Sequence, residues 1–475
     1  MSANFLSPFV DASALLRPNP AEVTYGCVMA DFDNDGLPEI LVVTVQGPNR
    51  LYKWSDSRLV DVAPPILRDL SASGIGVAAA DFSGNGFLDI YLLNTSAFFG
   101  PDSDPDRLLI NNGELKFDDL MARNPVTNFA AGRSVCWFDP DGLGKPYAFI
   151  CNYLAPCCLY GLDANGMLQD YAPELGLDVI TGGRSAVAGD ILGSGRMDLF
   201  TGNEGDANRL FRNDGNGRFT DVAADLGLDD PFQNMRGLAL CDFNRDGRMD
   251  LVWGNWEGPH RMMQQQPDGS FVDVANEDFA RPSRVRTVIV LDYDNDGWDD
   301  IFLNNLGEAN RLFHNNGDGT FSEVDPGDLA QFGGLGTGAT AGDINGDGFI
   351  DIFISHGEGS PMPNALLLNS PNGNNWLRVH PLTAAGAAAI GAKVIIFPEG
   401  DTRPITRIID GGSGYLCQTE PVAHAGLAKA ARAASVEIRF TTGQVCNLQD
   451  VEANQNVFVK PAGESFVINL VRQEA

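Results

Sequence analysis

Four short stretches gather oxygen-bearing side chains at one spacing: "DFDNDGLPEI" from Asp31, "DFNRDGRMDL" from Asp242, "DYDNDGWDDI" from Asp292 and "DINGDGFIDI" from Asp343. Positions 1, 3, 5 and 9 carry the oxygens, and position 6 is glycine, which suits a sharp turn. The sets are Asp31, Asp33, Asp35 and Glu39; Asp242, Asn244, Asp246 and Asp250; Asp292, Asp294, Asp296 and Asp300; and Asp343, Asn345, Asp347 and Asp351. Such a cage suits a hard cation. Calcium takes about six to eight oxygens at about 2.3–2.6 Å in irregular geometry, whereas magnesium demands a tighter octahedron. Without a cation, several carboxylates in one turn repel one another. Calcium is therefore the expected cofactor. The alternative is a set of Asx-turns that shape hairpins without metal.

Three thinner versions complete the series. "DFSGNGFLDI" offers Asp81, Ser83, Asn85 and Asp89, with fewer charges. "DPDGLGKPYAF" from Asp139 and "DILGSGRMDL" from Asp190 place Leu143 and Leu192 where ligands should stand, so both are expected to be plain turns. The first aspartates are spaced by 50, 58, 51, 52, 50 and 51 residues. A period near fifty marks one supersecondary unit repeated. Each unit reads as four short apolar runs separated by Gly, Asn and Asp, which are strands. Four strands per unit and seven units predict an all-β, seven-bladed propeller. Helical periodicity is confined to a short stretch near "AGLAKAARAA".

These units resemble FG-GAP/VCBS repeats, the calcium-loop blades also found in the integrin α-subunit propeller. "FGGLGTGATAGDINGDGFIDIFIS" from Phe332 carries the resemblance most closely. It implies the fold over about residues 5–370 and says little about function. From Trp376 the period stops. "WLRVHPL", "AIGAKVIIF", "RIIDGGSGYLCQTEPVAHAGL" and "SVEIRFTTGQVCNLQDVEANQNVFV" resemble an ASPIC/UnbV domain, with "RFTTG" departing from that family's usual turn. The expected organisation is a propeller over 1–371 and a small β-sandwich-like domain over 372–475. The short linker predicts that the two pack together. "FVDAS" at Phe9 matches the fourth-strand phrases "FTDVA" and "FVDVA". Residues 5–13 are therefore expected to close the ring and leave no free edge.

A second pattern appears when units are aligned on their first aspartate. Six residues earlier stand Tyr25, Ile75, Arg133, Arg184, Arg236, Arg286 and Thr337. Thirteen residues later stand Thr44, Asn94, Asn152, Asn203, Asn255, Asn305 and His356. Both registers fall at strand ends opposite the acidic loops, and the loops beyond add Trp256, Glu204, Glu257, Glu308 and Glu358. Arginine's planar fork suits carboxylate or phosphate. One reading is a polar funnel for an anionic or amphipathic ligand, lined by the arginines, Asn152, Asn203, Asn255, Asn305, His356 and Trp256. The other is repeat architecture, with Arg in internal ion pairs and Asn capping turns. Three functional classes fit: a calcium-stabilised binding module, a non-redox cyclase or lyase, and an adhesion module. In the second, Glu257, Glu308 or Tyr25 would move a proton. His424 is expected to be structural.

Composition narrows the partners. Lys and Arg total 32 against 63 acids, a formal charge of −31, so a nucleic-acid partner is disfavoured. No apolar run is long enough for a membrane span, and "MSANFLSPFVDASALL" lacks the pattern of a signal peptide. The sequence as written predicts a cytoplasmic monomer, or a secreted protein if a leader was removed. The eight cysteines show no C-x-x-C pair, and a Cys136–Cys151 bridge is the one pairing considered.

Overall fold

The computed structural model describes residues 8–70, 72–96, 104–124, 126–331, 334–413 and 415–472. Seven antiparallel units of four strands follow one another along the chain. In the sixth, Val285–Leu291 pairs with Asp300–Asn305, that strand with Arg311–Asn315, and the last with Phe321–Val324. The seven first strands are neighbours in sequence order, and Gly336–Gly342 returns to lie beside Thr24–Ala30, so the ring closes. Each first strand is short, apolar and buried on both faces, as a strand between two blades must be. The third and fourth units also join through Tyr153 and Pro156, which pair with Gly182 and Ile180.

The seventh unit supplies only three strands from its own period. Phe9–Asp11 adds the fourth, pairing with Ala365–Asn369 in the register Phe9 to Asn369. Residues 5–7 of the expected closing strand lie outside the described residues. Leu16–Arg17 pairs in parallel with Arg58–Asp61 at the outer edge of the first unit.

Beyond Asn369 the chain enters two stacked four-stranded sheets. One runs in the order Ala423–Ala428, Asn375–Pro381, Gln455–Ala462, Ser465–Arg472; the other runs Ile405–Ile408, Lys393–Pro398, Arg432–Arg439, Val445–Glu452. The short helix expected near "AGLAKAARAA" is absent from these described residues. Ala423–Ala428 and Arg432–Arg439 are strands there, because sheet pairing with Asn375–Pro381 and Lys393–Pro398 overrides alanine's helix propensity.

The Cys136–Cys151 bridge does not form. The strand register places Phe149 opposite Cys136 and Ser134 opposite Cys151, which offsets the two thiols along the strands. All eight cysteines are free. Cys27 and Cys417 form a close thiol pair instead, Sγ to Sγ 3.7 Å, joining the two domains.

Candidate functional site

The acidic loops each connect a first to a second strand. In the fifth, Asp242 accepts the Asp246 N–H through Oδ1 at 3.0 Å and the Gly247 N–H through Oδ2 at 2.9 Å. Asp246 in turn accepts the Arg248 N–H at 2.9 Å. Gly36, Gly86, Gly247, Gly297 and Gly348 hold position 6 with φ between 83° and 96°, a region that explains the glycine.

These turns leave carboxylate oxygens uncompensated. Asp250 is fully buried; its Oδ1 accepts the Gln265 N–H at 2.8 Å, and its Oδ2 has no hydrogen-bond partner. Burial, with Asp242 and Asp246 nearby, pushes its pKa up to about 8. In the sixth loop Asp292, Asp294 and Asp296 bring carboxylate oxygens within 4.8 Å of one another. Burial and the neighbouring acids push Asp300 up to about 8. An unpartnered buried oxygen and mutually repelling carboxylates are what a hard-cation cage looks like before it is filled. The fifth and sixth loops therefore fit the metal that the repeats imply.

Cations of the chain itself also reach these acids: Arg248 pairs with Asp246 in the fifth loop, and His314, raised to about 9 by its hydrogen bond to Asp300, meets the sixth; the first loop goes furthest. Its acids already surround a cation of the chain itself. Lys53 Nζ lies 2.7 Å from Asp33, 2.6 Å from Asp35 and 2.8 Å from Glu39. Lys53 comes from the fourth position of the third strand, which in the fifth, sixth and seventh units is Gln264, His314 and Leu368. His314 Nδ1 stands 3.2 Å from Asp300 Oδ1. Sequence reading of the loops alone missed this position; the repeated third-strand phrases would have exposed it. The degenerate third loop is also held by the chain, since Asp139 accepts the Thr441 hydroxyl at 2.7 Å.

The C-terminal domain sits on this loop face. Gly426 N–H donates to Asp292 Oδ2 at 3.0 Å, His424 Nε2 lies 2.6 Å from Asn295 Oδ1, and Arg407 pairs with Asp299 at 2.7 Å. From there residues 410–413 and 415–420 run into the ring. Trp137 N–H donates to the Gly411 carbonyl at 2.6 Å, and Val77 N–H to the Leu416 carbonyl at 3.2 Å. Gln418, fully buried, accepts the Ala79 N–H through Oε1 at 2.7 Å and returns Nε2 to the Ala79 carbonyl at 3.1 Å. Gly412 has φ +127°, and a Cβ there would strike the Val135 carbonyl. The segment is a plug whose glycine permits contact with strand backbone. Beside it a cavity of about 130 Å³ remains, lined in part by Arg378, Asp410 and His424.

The plug tip reaches the opposite face. The register shifts in the first strands fall at Tyr25, Ile75, Arg133, Arg184, Arg236, Arg286 and Thr337. A bulge re-aims the side chain of the extra residue, and these arginines converge on Tyr415. Burial pushes the Tyr415 phenol up, but Arg184, Arg286, Arg236 and Arg133 outweigh it and lower its pKa. The Arg286 guanidinium lies 5.7 Å from the Tyr415 ring and 4.5 Å from the Trp256 ring. Arg184 and Arg236 both pair with Glu204, the latter at 2.8 Å, and Arg286 pairs with Glu358. The expected funnel is thus filled at its centre by Tyr415, a residue the repeat alignment could not point to.

The asparagine register lies apart from that cluster. Asn203, Asn255 and Asn305 donate to the carbonyls of Ala207, Pro259 and Ala309 at 2.6, 2.7 and 2.8 Å, and Asn152 to Pro156 at 2.7 Å. These side chains cap turns. His356 Nδ1 lies 2.9 Å from the Pro363 carbonyl in the same role. Glu257 pairs with Arg284 at 2.8 Å, and Glu308 accepts the Arg284 N–H at 3.3 Å, both on the outer rim. Tyr25 is buried, and burial raises its phenol pKa.

Comparison with known proteins follows the same division. An FG-GAP-like repeat model matches residues 31–92, 190–253, 242–303 and 292–354. A model described as ASPIC and UnbV matches residues 383–465. The chain is 42% identical over 465 residues to cartilage acidic protein 1 of Mus musculus, covering 90% of this chain and 72% of that one. It is 41% identical over 476 residues to the Homo sapiens protein, covering 92% and 72%. The chain belongs to the cartilage acidic protein 1 family. Among solved structures it is similar to YCF48 bound to a D1 peptide, at 9% identity and TM-score 0.46, covering 78% of this chain and 98% of that one. As a cartilage acidic protein 1 relative, it is an FG-GAP β-propeller with an ASPIC/UnbV domain. No helix among its described residues is long and apolar enough to cross a membrane.

Proposed function

We propose that the chain is a calcium-stabilised interaction module whose arginine face receives an anionic group of a partner molecule. Charge imbalance around Tyr415 carries this reading. Among the described residues Arg184, Arg236 and Arg286 meet two carboxylates, Glu204 and Glu358, and the buried Nε atoms of Arg236 and Arg286 have no hydrogen-bond partner. In a chain of charge −31, this is a place where an anion is attracted rather than repelled. A carboxylate, sulfate or phosphate group would supply the missing acceptors. Trp256 at the same face offers apolar surface to an amphipathic body. The asparagines have no part in recognition, because turn carbonyls engage them. The cartilage relatives favour the exported setting over the cytoplasmic one.

Calcium belongs to the fifth, sixth and seventh loops in this proposal. Asp242, Asp246 and Asp250, Asp292 to Asp300, and Asp343, Asp347 and Asp351 would hold it, with Asn244 and Asn345 as neutral ligands. The ion would neutralise the cages and brace the loop face on which the C-terminal domain rests. In the first loop Asp31, Asp33, Asp35 and Glu39 would have to exchange Lys53 for the ion. Asp81, Ser83, Asn85 and Asp89 form the weakest cage.

Trp256 fluorescence tests the anion reading. Titration with inorganic sulfate and with a tricarboxylate is expected to give a saturable change that Trp256→Phe abolishes. Arg286→Gln should weaken it at least tenfold and leave the melting temperature within a few degrees. No response to either anion, together with collapse of the Arg286→Gln melt, would mean that the arginines serve only to clamp Tyr415.

A further inference from the structure

The C-terminal strand Ser465–Arg472 ends its sheet, and among the described residues nothing pairs with its outer edge. Such an edge presents a row of unpaired N–H and C=O groups, which proteins usually protect with charge, proline or a bulge. Here the central six residues, "FVINLV" from Phe466 to Val471, contain no charge, proline or glycine. Val467, Ile468, Leu470 and Val471 are 42–56% exposed.

The register shows which side is unfinished. Leu470 lies opposite Val457 and Ile468 opposite Val459 in the neighbouring strand, and both valines are fully buried. Leu470 and Ile468 therefore point toward the sandwich core. Phe466 lies on that same face and stacks on Phe440, with ring centroids 5.8 Å apart. The strand thus overhangs the facing sheet, and two core-side aliphatic residues, Ile468 and Leu470, stay about half exposed.

We infer that this edge is a homodimer interface, formed by antiparallel pairing of Ser465–Arg472 with the same strand of a second copy. A twofold axis through Ile468 makes the sequence self-complementary. Ile468 then faces itself, Phe466 faces Leu470 of the second copy, and Glu464 faces Arg472 at both ends. Ile468, Phe466 and Leu470 lie on the core side, where directly opposed residues sit about 4.5–5.5 Å apart, and Glu464 stands in the turn just before the strand. The pairing is isologous, so it closes at two copies and leaves no further edge. It departs from the monomer that composition predicted. Two chains of charge −31 repel one another, but screening over about 8 Å at physiological salt confines that penalty, and the paired strand is itself neutral at its centre. One strand pair is a small interface, so the dimer is expected to be concentration-dependent.

Sedimentation equilibrium of the full chain, with calcium and physiological salt, tests this. The mass is expected to rise from 50.9 kDa toward twice that value between about 1 and 100 µM. Ile468→Lys, which sets two ammonium groups face to face on the axis, should hold the mass at 50.9 kDa throughout, with an unchanged melting temperature. Glu464→Arg should shift the transition to at least tenfold higher concentration, and Glu464→Arg with Arg472→Glu should restore it. A wild-type mass that never rises, a dimer that survives Ile468→Lys, or a charge swap without rescue would each overturn the pairing, as would growth beyond two copies.

Discussion

At the scale of single residues, opposed charge decides more than position in the repeat. Glu204 is the shared partner of Arg184 and Arg236. Burial pushes its pKa up, yet Arg236 and Arg184 outweigh it and hold the carboxyl below its ordinary value. A depressed carboxyl contributes stability above its unfolded pKa, about 4.3, and loses it as pH falls through the lower folded value. Glu204→Gln should therefore melt earlier than wild type at pH 7. That gap should close as the pH is taken below about 4.3. A gap that stays constant into acid would mean that Glu204 is not ionised in the fold. Lys53 shows the same logic inside the acidic loops: its ammonium satisfies three carboxylates that sequence spacing alone assigns to a metal.

At the scale of the element, each acidic loop is a hairpin whose stability depends on what neutralises it. Ligand that binds only the folded state stabilises by about 2.7 kcal/mol per site at a hundredfold excess over Kd. Chelation should lower the melting temperature markedly, and Asp296→Ala, in a cage of four acids, should lower it more than Ser83→Ala. The first loop should respond in the opposite sense. Lys53→Leu removes the internal cation and copies Leu368 of the seventh unit. Calcium counted by atomic emission after dialysis should then rise by about one ion per chain. An unchanged melt on chelation would sink the cage reading, and an unchanged count in Lys53→Leu would show that the lysine never occupied the first loop.

At the scale of the whole molecule, two distant segments finish the propeller. Phe9–Asp11 completes the seventh unit, and residues 410–413 and 415–420 of the C-terminal domain enter the channel. Phe9 is fully buried, packed with Leu312, Leu329 and Leu367. Phe9→Ala should cost about 3–5 kcal/mol, within the range for a large core truncation. Deleting Met1 to Leu16 should expose the edge of Ala365–Asn369 and cause aggregation. A soluble deletion with an unchanged melt would show that the ring holds without its closing strand. Trp376 does not supply that strand, since Asn375–Pro381 pairs within the C-terminal domain.

Local patterns were legible in the sequence because they act locally. The fifty-residue period, the alternation of short apolar runs with Gly and Asn turns, and the oxygens at positions 1, 3, 5 and 9 all lie within one hairpin or one blade. They determined the all-β class, the repeat and the candidate cages before any coordinate was known. The residues aligned with Arg133 and Asn152 could be aligned too and given two readings, a ligand funnel or ion pairs and turn caps, but sequence did not choose between them. Only the fold turned the asparagines onto turn carbonyls and the arginines, through strand bulges, onto the channel axis. Contacts between strands and between domains decided the rest. Lys53 enters the first cage because antiparallel pairing brings a third strand beside the loop. Tyr415 meets the four arginines because a glycine-bearing loop of another domain can thread the ring. Lys53 lies within the same blade as its acids and Tyr415 in another domain from its arginines, and charge in a buried space is balanced by whatever the fold brings within a few ångströms.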